Sequence, residues 1–191
     1  VFKGHNIQTG DPVAIKIVLP EFARDEMILE LFRKEARILN HLNHDAIVRY
    51  YVFSIDRAIA RPYLAMEFVD GQSLAEIVKK KPLAPEDFMP LLKRLADGLH
   101  RAHEAGVIHR DMSPDNVILP GGLVRNAKII DFGIARSANV GGATLLGGSF
   151  AGKYSFVSPE QLGLFGADVA AKSDVYSFGL VLAAAVLGRP L

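Results

Sequence analysis

The sequence predicts an α+β fold of two lobes, a small lobe of strands with one helix followed by a larger, mainly helical lobe. In the first third of the chain, β-branched residues alternate over 13–18, which is typical of a half-buried strand. Apolar residues at helical spacing then predict a helix over about 25–42. Two more strands are expected at 47–55 and 63–69, before Asp70-Gly71 breaks the pattern.

The second lobe is predicted from longer apolar repeats and one short hairpin. Apolar residues recur at helical spacing over 88–99, after Pro85, a residue suited to the first turn of a helix. Two short strands, 117–119 and 128–130, flank a Pro-Gly-Gly turn, and the apolar run 178–187 predicts a buried helix. The predicted boundaries are 1–66 for the small lobe, 67–71 for a hinge and 72–191 for the large lobe.

The composition is ordinary for a globular protein, and it excludes several classes of function. The 191 residues carry a formal net charge of +1 and contain no cysteine. A near-neutral chain does not predict nucleic-acid binding, and the lack of cysteine excludes disulfides and cysteine-ligated zinc. The longest apolar run, about ten residues, is too short to cross a bilayer. We therefore expect no membrane segment and a cytoplasmic setting. Because residue 1 is not methionine, we also expect a fragment of a longer protein.

Two charged residues fall on faces that the apolar pattern marks as buried. Lys16 shares a strand face with Ala14 and Val18, and Glu35 lies one helical turn from Leu39. Taken singly, each has an ordinary explanation, a lysine whose amine reaches solvent and a tolerated glutamate. An unpaired buried charge is costly, whereas a Lys–Glu pair beside an anionic ligand is not. Together the two residues therefore predict an ion pair.

Two polar residues are predicted to lie at the same end of the hairpin. Asn116 comes just before its first strand and Asp131 just after its second, so antiparallel pairing returns both residues to the same end. An amide oxygen and a carboxylate that converge in this way suit Mg²⁺. Asp111, on the loop that enters the hairpin, could orient an attacking hydroxyl group and accept its proton.

These residues occur within short motifs that together resemble the signature of protein kinases. The motifs are Val13-Ala14-Ile15-Lys16 with Glu35, His109-Arg110-Asp111 with Asn116, Asp131-Phe132-Gly133, Ser158-Pro159-Glu160, and Asp174 on a later helix. Each is weak alone, but all of them occur in order across nearly the whole chain. The chain most resembles the eukaryotic-like serine/threonine kinases of bacteria. That resemblance implies a two-lobed kinase fold, incomplete at both ends, that uses ATP and Mg²⁺ to phosphorylate protein serine or threonine.

The resemblance also implies a role for each matching residue. Lys16 would hold the α- and β-phosphates of ATP and would be fixed by Glu35. Asn116 and Asp131 would hold Mg²⁺, and Asp111 would act on the accepting hydroxyl. The adenine ring would contact Val1, Ala14, Met66 and Ile118 and the hinge backbone at Glu67 and Val69. A hydrophobic spine between the lobes would comprise Leu39, Tyr50, His109 and Phe132. Asp174 would brace the catalytic loop, the segment that runs from His109 to Asn116.

The chain departs from the family pattern in three ways. From the resemblance, we expect the given sequence to lack the glycine-rich loop over the phosphates, which would come just before Val1, and the helices that normally follow the Asp174 helix. Ser113 replaces the usual lysine of the catalytic loop. Lys153 replaces the usual threonine of the activation segment, the end of which Ser158-Pro159-Glu160 resembles. If the two positions meet in space, Lys153 can deliver the ammonium that the loop lacks. The alternatives are a pseudokinase that binds nucleotide or acts as a scaffold, and a small-molecule kinase with the same fold.

Histidine pairs at 41/44 and 100/103 are spaced by three residues, which could suit a metal ion. No third ligand is evident, so roles at helix ends and on the surface are preferred. His109 is expected to pack in the core and not to act as an acid or base.

Overall fold

The computed structural model describes residues 1–18, 26–56, 58, 60–132, 154–166 and 168–191. The first part of the chain forms a four-stranded antiparallel sheet with the strand order β1-β2-β4-β3. The strands are β1 (Phe2–His5), β2 (Pro12–Ile17), β3 (Tyr50–Asp56) and β4 (Arg61–Glu67). The strand predicted at 47–55 therefore begins at Tyr50, and the strand predicted at 63–69 is displaced by two residues.

Helix α1 (Glu26–His41) packs against this sheet. Its sequence places an acidic residue in the first turn and a histidine in the last, which suits the helix dipole. Phe32, Ala36 and Leu39 are buried along one face, in agreement with the predicted apolar stripe. This buried face packs against the sheet at β3 and so holds α1 in position.

The segment 44–48 after α1 joins the first part of the chain to the second. Ile47 forms a parallel bridge with Ile129 instead of extending β3. Ile129 N donates to Ala46 O at 2.7 Å, and Val48 N donates to Ile129 O at 2.9 Å. Arg94 also donates from its NH2 group to Asp45 O at 2.6 Å. The C-terminal end of α1 is therefore anchored to the second lobe.

Among its described residues, the second part of the chain forms a small antiparallel sheet with the order β5-β6-β7 and three α-helices. The strands are β5 (Gln72–Ser73), β6 (Val117–Leu119) and β7 (Lys128–Ile129), and the helices are α2 (Leu74–Lys80), α3 (Pro85–Glu104) and α4 (Ala171–Leu187). Helix α2 begins with a capping box, in which Ser73 Oγ accepts from Glu76 N and Glu76 Oε2 accepts from Ser73 N. The hairpin of β6 and β7 and helix α3 are present as predicted.

Helix α3 lies at the centre of the second lobe. Leu91, Leu95 and Leu99 on one face are fully or nearly fully buried. Gly98 allows a close approach to the segment 44–48, because a Cβ atom at this position would lie 3.1 Å from Ala46 Cβ. A side chain there would push the two elements apart.

Helix α4 is buried on one side only, which corrects the prediction of a buried helix. Val181, Ala184 and Ala185 are buried, whereas Val175 is 59% exposed and Val186 is 49% exposed. Within the described part of the chain, α4 and the other helices are all too short or too polar to span a membrane.

Candidate active site

The β6–β7 hairpin brings Asn116 and Asp131 to one end. Val117 pairs with Ile129 in the antiparallel register. Beyond that pair, Ile130 N donates to Asn116 O at 2.9 Å. Asp131 follows directly, with a positive φ of 60°, a left-handed conformation that costs a residue other than glycine about 1–2 kcal/mol. The fold thus holds Asp131 in a strained conformation beside Asn116.

The oxygen atoms at this end of the hairpin are suitable ligands for a Mg²⁺ ion. Asn116 is buried, and its Nδ2 donates to Asp111 O at 2.7 Å, which leaves the amide oxygen to act as an acceptor. Asp131 adds a carboxylate. Hard cations of this kind take oxygen ligands from carboxylates, amides, phosphates and water. The same hydrogen bond from Asn116 ties Asp111 to the site.

The two predicted partners Lys16 and Glu35 are both close to the site, but they pair with other residues. Lys16 Nζ pairs with a carboxylate oxygen of Asp131. Glu35 Oε1 accepts from Arg110 NH1 at 2.8 Å. The expected Lys16–Glu35 pair is therefore not formed among the described residues. Each charge is partly buried and needs an opposite neighbour, and the long guanidinium of Arg110 supplies one to Glu35 while Asp131 supplies one to Lys16.

Asp174, at the start of α4, holds the backbone of the catalytic loop as predicted. Its side chain is 1% exposed, and it accepts from His109 N at 2.7 Å and from Arg110 N at 2.8 Å. His103 Nε2 lies 2.7 Å from Asp174 Oδ2 and donates to it, because a carboxylate can only accept. His103 lies in the last turn of α3, as predicted, but it is a partly buried partner of Asp174 and not a surface residue.

His109 is a core residue, as predicted. Its Nε2 donates to Ile130 O at 2.9 Å and its Nδ1 accepts from Asp111 N at 3.2 Å, which requires the neutral ring. Burial lowers the pKa of His109. The ring centroid lies 4.6 Å from that of Phe132, and Tyr50 packs on the same phenyl ring at 6.5 Å.

Tyr50 connects this core to the site. Phe132 N donates to Tyr50 Oη at 3.2 Å. Burial, and after it the charge of Asp131, raises the pKa of the Tyr50 phenol, so the phenol stays protonated. With Leu39 also buried, the four residues of the predicted spine all lie in the core.

The lowered pKa of His109 predicts a loss of stability in acid. The unfolded chain takes up the proton of His109 near pH 6.5, whereas the folded chain takes it up only at lower pH, so the free energy of unfolding should fall as the pH drops from 7 through 6.5. Urea unfolding should show that His109→Phe removes this part of the pH dependence. Equal pH dependence in the variant and the natural chain would contradict the prediction.

The residues expected to contact adenine lie on both sheets. Met66 is buried on β4 opposite Ala14 on β2, and Ile118 lies on β6. Val1 is 74% exposed before β1. Val69 lies after β4 and packs against the edge of the core.

Glu67 ends β4 and joins the two sheets. Its carboxylate oxygens accept from Lys128 Nζ at 2.7 and 2.8 Å, and its backbone N donates to Arg49 O at 2.8 Å. Glu67, the first residue of the predicted hinge, therefore links the end of β4 to β7.

Comparison with known proteins decides the family. The sequence matches the protein kinase domain over residues 1–191. The chain belongs to the protein kinase family. It is 37% identical over 194 residues to the serine/threonine-protein kinase pkn2 of Myxococcus xanthus, covering 99% of this chain and 23% of pkn2. It is 36% identical over 182 residues to the serine/threonine-protein kinase PknB of Mycobacterium tuberculosis, covering 93% of this chain and 28% of PknB. The chain thus spans about a quarter of the length of these relatives.

A solved structure supports the fold of this kinase chain. The PknI kinase domain of Mycobacterium tuberculosis superimposes with a TM-score of 0.75 at 24% sequence identity, covering 98% of this chain and 68% of that one. The predicted two-lobed kinase fold is therefore confirmed.

Two residues singled out by the sequence analysis lie outside the described residues. Gly133 and Lys153 both fall in 133–153. The Ser158-Pro159-Glu160 motif is described. Ser113 Oγ and Glu160 Oε2 are buried, and neither has a hydrogen-bond partner within the described ranges.

Sequence reasoning missed two residues that contact this kinase site, His103 and Gln161. Gln161 Nε2 donates to Arg110 O at 2.7 Å. Neither contact could be read from spacing, because each joins residues more than 50 positions apart in the chain.

Proposed function

We propose that the chain transfers the γ-phosphoryl group of Mg-ATP to serine or threonine hydroxyls of proteins. The observation that carries the proposal is the fixed arrangement of Asp111, Asn116 and Asp131 at one end of a hairpin. The names of pkn2 and PknB as serine/threonine-protein kinases support the choice of acceptor. No observation favours the alternative, a pseudokinase.

Each residue has a proposed role in the transfer. Asp111 accepts the proton of the attacking hydroxyl group and orients its oxygen toward the phosphorus. Asn116 and Asp131 would hold Mg²⁺, which when bound would supply positive charge beside the phosphate oxygens. Lys16 binds the phosphates, and we expect it to pair with Glu35 once they are in place.

The remaining assignments belong to the same proposal. Adenine contacts Val1, Ala14, Met66, Ile118 and the backbone of Glu67 and Val69. The lobes comprise 1–66 and 72–191, joined by a hinge at 67–71. The domain acts on protein substrates in the cytoplasm, where Mg-ATP is available.

Transfer of radiolabelled γ-phosphate by the full-length protein, followed by phosphoamino-acid analysis, tests the function. We expect labelled phosphoserine or phosphothreonine in a protein substrate or in the kinase itself. Nucleotide binding without transfer would favour the pseudokinase, and label on a small molecule alone would favour a small-molecule kinase.

Lys153 and Ser113 form a separate part of the proposal. Ser113 stands where the family carries a lysine, and its buried hydroxyl lacks a partner among the described residues. We propose that Lys153 supplies the ammonium that helps to neutralise the transferred phosphoryl group and that Ser113 supplies the hydroxyl of the usual threonine.

Lys153→Ala should therefore lower kcat by about 10²-fold and change ATP affinity little. Steady-state kinetics with Lys93→Ala, a substitution of an exposed lysine on α3, as control would measure this. The double variant Ser113→Lys with Lys153→Thr should recover part of the loss. Unchanged turnover in Lys153→Ala would refute the exchange.

A further inference from the structure

The backbone around Asp111 is held mainly by side chains. Arg110 has a positive φ of 62°, which costs a residue other than glycine about 1–2 kcal/mol. Asp174 accepts from its N–H at 2.8 Å. On its other side, the Arg110 carbonyl accepts from Gln161 Nε2 at 2.7 Å. The strained residue is thus fixed at both ends by side chains from other parts of the chain.

The peptide unit that joins Arg110 to Asp111 directly precedes the Cα atom that carries the Asp111 side chain. Its carbonyl is held by Gln161, and its N–H donates to His109 Nδ1 at 3.2 Å. Asn116 holds the carbonyl on the other side of Asp111 at 2.7 Å. The orientation of the Asp111 carboxylate depends on these contacts, because the side chain begins between the two held peptide units.

The amide of Gln161 is itself oriented by Ser158. Gln161 Oε1 accepts from the backbone N and the Oγ of Ser158, both at 3.2 Å, and Ser158 is fully buried. With the oxygen fixed in this way, the NH2 group faces the Arg110 carbonyl. A reversed amide would place two acceptors against each other.

We propose that Gln161 is a positioning residue that fixes the peptide before Asp111 and so couples the end of the activation segment to the catalytic aspartate. Gln161 lies directly after the Ser158-Pro159-Glu160 motif, in a short turn over Glu160–Leu162. Movement of this segment therefore changes the support of the catalytic loop. The inference rests on the proposed function for its effect on turnover, but not for its effect on the loop.

Two variants of the full-length protein test the proposal. Gln161→Glu keeps an oxygen for Ser158 but replaces the donor to Arg110 O with an acceptor, and Gln161→Met removes the hydrogen bonds to both Ser158 and Arg110. Gln8→Glu, on an exposed turn between β1 and β2, is the matched control. Small displacements of a catalytic group cost up to about 10²-fold in rate, so we expect both Gln161 variants to lower kcat by about 10-fold or more. KM for ATP should stay within about twofold, because no ATP contact is proposed for Gln161.

Hydrogen exchange gives a readout that does not depend on turnover. The amides of Arg110 and Asp111 should exchange about 10-fold faster or more in both Gln161 variants and at the natural rate in Gln8→Glu. Unchanged exchange of these two amides in both Gln161 variants would overturn the proposal. If the natural protein transferred no phosphate, the proposed function would fail, while the exchange rates would still decide the role of Gln161.

Discussion

Asp111→Asn is expected to lower phosphoryl transfer by about 10²–10⁴-fold, the usual contribution of a positioned general base. The asparagine side chain has nearly the same shape, and the backbone stays held by Asn116 and His109. The ability to accept the proton of the substrate is lost. ATP affinity should remain almost unchanged, because Asp111 acts on the hydroxyl and not on the nucleotide. Single-turnover kinetics and nucleotide titration of the full-length protein would separate the two quantities.

Asp115→Asn is the matched control, since Asp115 lies in the same loop and its side chain is exposed. It should retain turnover. Asp131→Asn should behave differently from Asp111→Asn, because it should weaken the part of nucleotide binding that depends on Mg²⁺. If Asp111→Asn and Asp131→Asn both left turnover unchanged, the proposed enzymatic function would be wrong.

Asp174→Asn is expected to have the largest effect on stability, about 2–4 kcal/mol in the free energy of unfolding. The carboxylate accepts from two backbone N–H groups and from His103 Nε2. An asparagine offers one oxygen and one NH2 group, so at least one of these donors would face another donor in a buried site. Turnover should fall as well, because the backbone of the catalytic loop loses its support. Urea unfolding monitored by circular dichroism measures the stability.

Asp97→Asn provides a control with the same chemistry on the surface. Asp97 is 71% exposed and pairs with His44 at 3.1 Å. Its loss should cost less than about 1 kcal/mol, as is usual for exposed ion pairs. Similar losses of stability in both variants would show that Asp174 contributes no more than a surface carboxylate.

The parts of the fold that sequence predicted well are those governed by local patterns. The stripe of α1, the start of α3 at Pro85 and the β6–β7 hairpin depend on residues close together in the chain. The convergence of Asn116 and Asp131 followed from the hairpin, because antiparallel pairing places the start of the first strand beside the end of the second.

The contacts that sequence did not predict join distant segments. The same two cations and two carboxylates allow more than one pairing, so periodicity could not show that Lys16 pairs with Asp131 and Glu35 with Arg110. The apolar run of α4 indicated burial but not how many sides of the helix were covered. The resemblance to kinases indicated that Asp174 braces the catalytic loop, but it did not indicate that His103 is hydrogen-bonded to Asp174.

The anchoring of segment 44–48 determines how α1 can move. Since Ala46 and Val48 are hydrogen-bonded to Ile129, the C-terminal end of the helix is held in place, and any rotation of the helix would displace its more N-terminal residues the most. Glu35 lies six residues before His41, which is about 9 Å along the axis. A swing of roughly 20° about the held end would carry Glu35 about 3 Å, a distance comparable to one hydrogen bond. A rotation of this size would displace the Glu35 carboxylate by about as much as the 2.8 Å that separates it from Arg110 NH1, while the base of the helix stays in place.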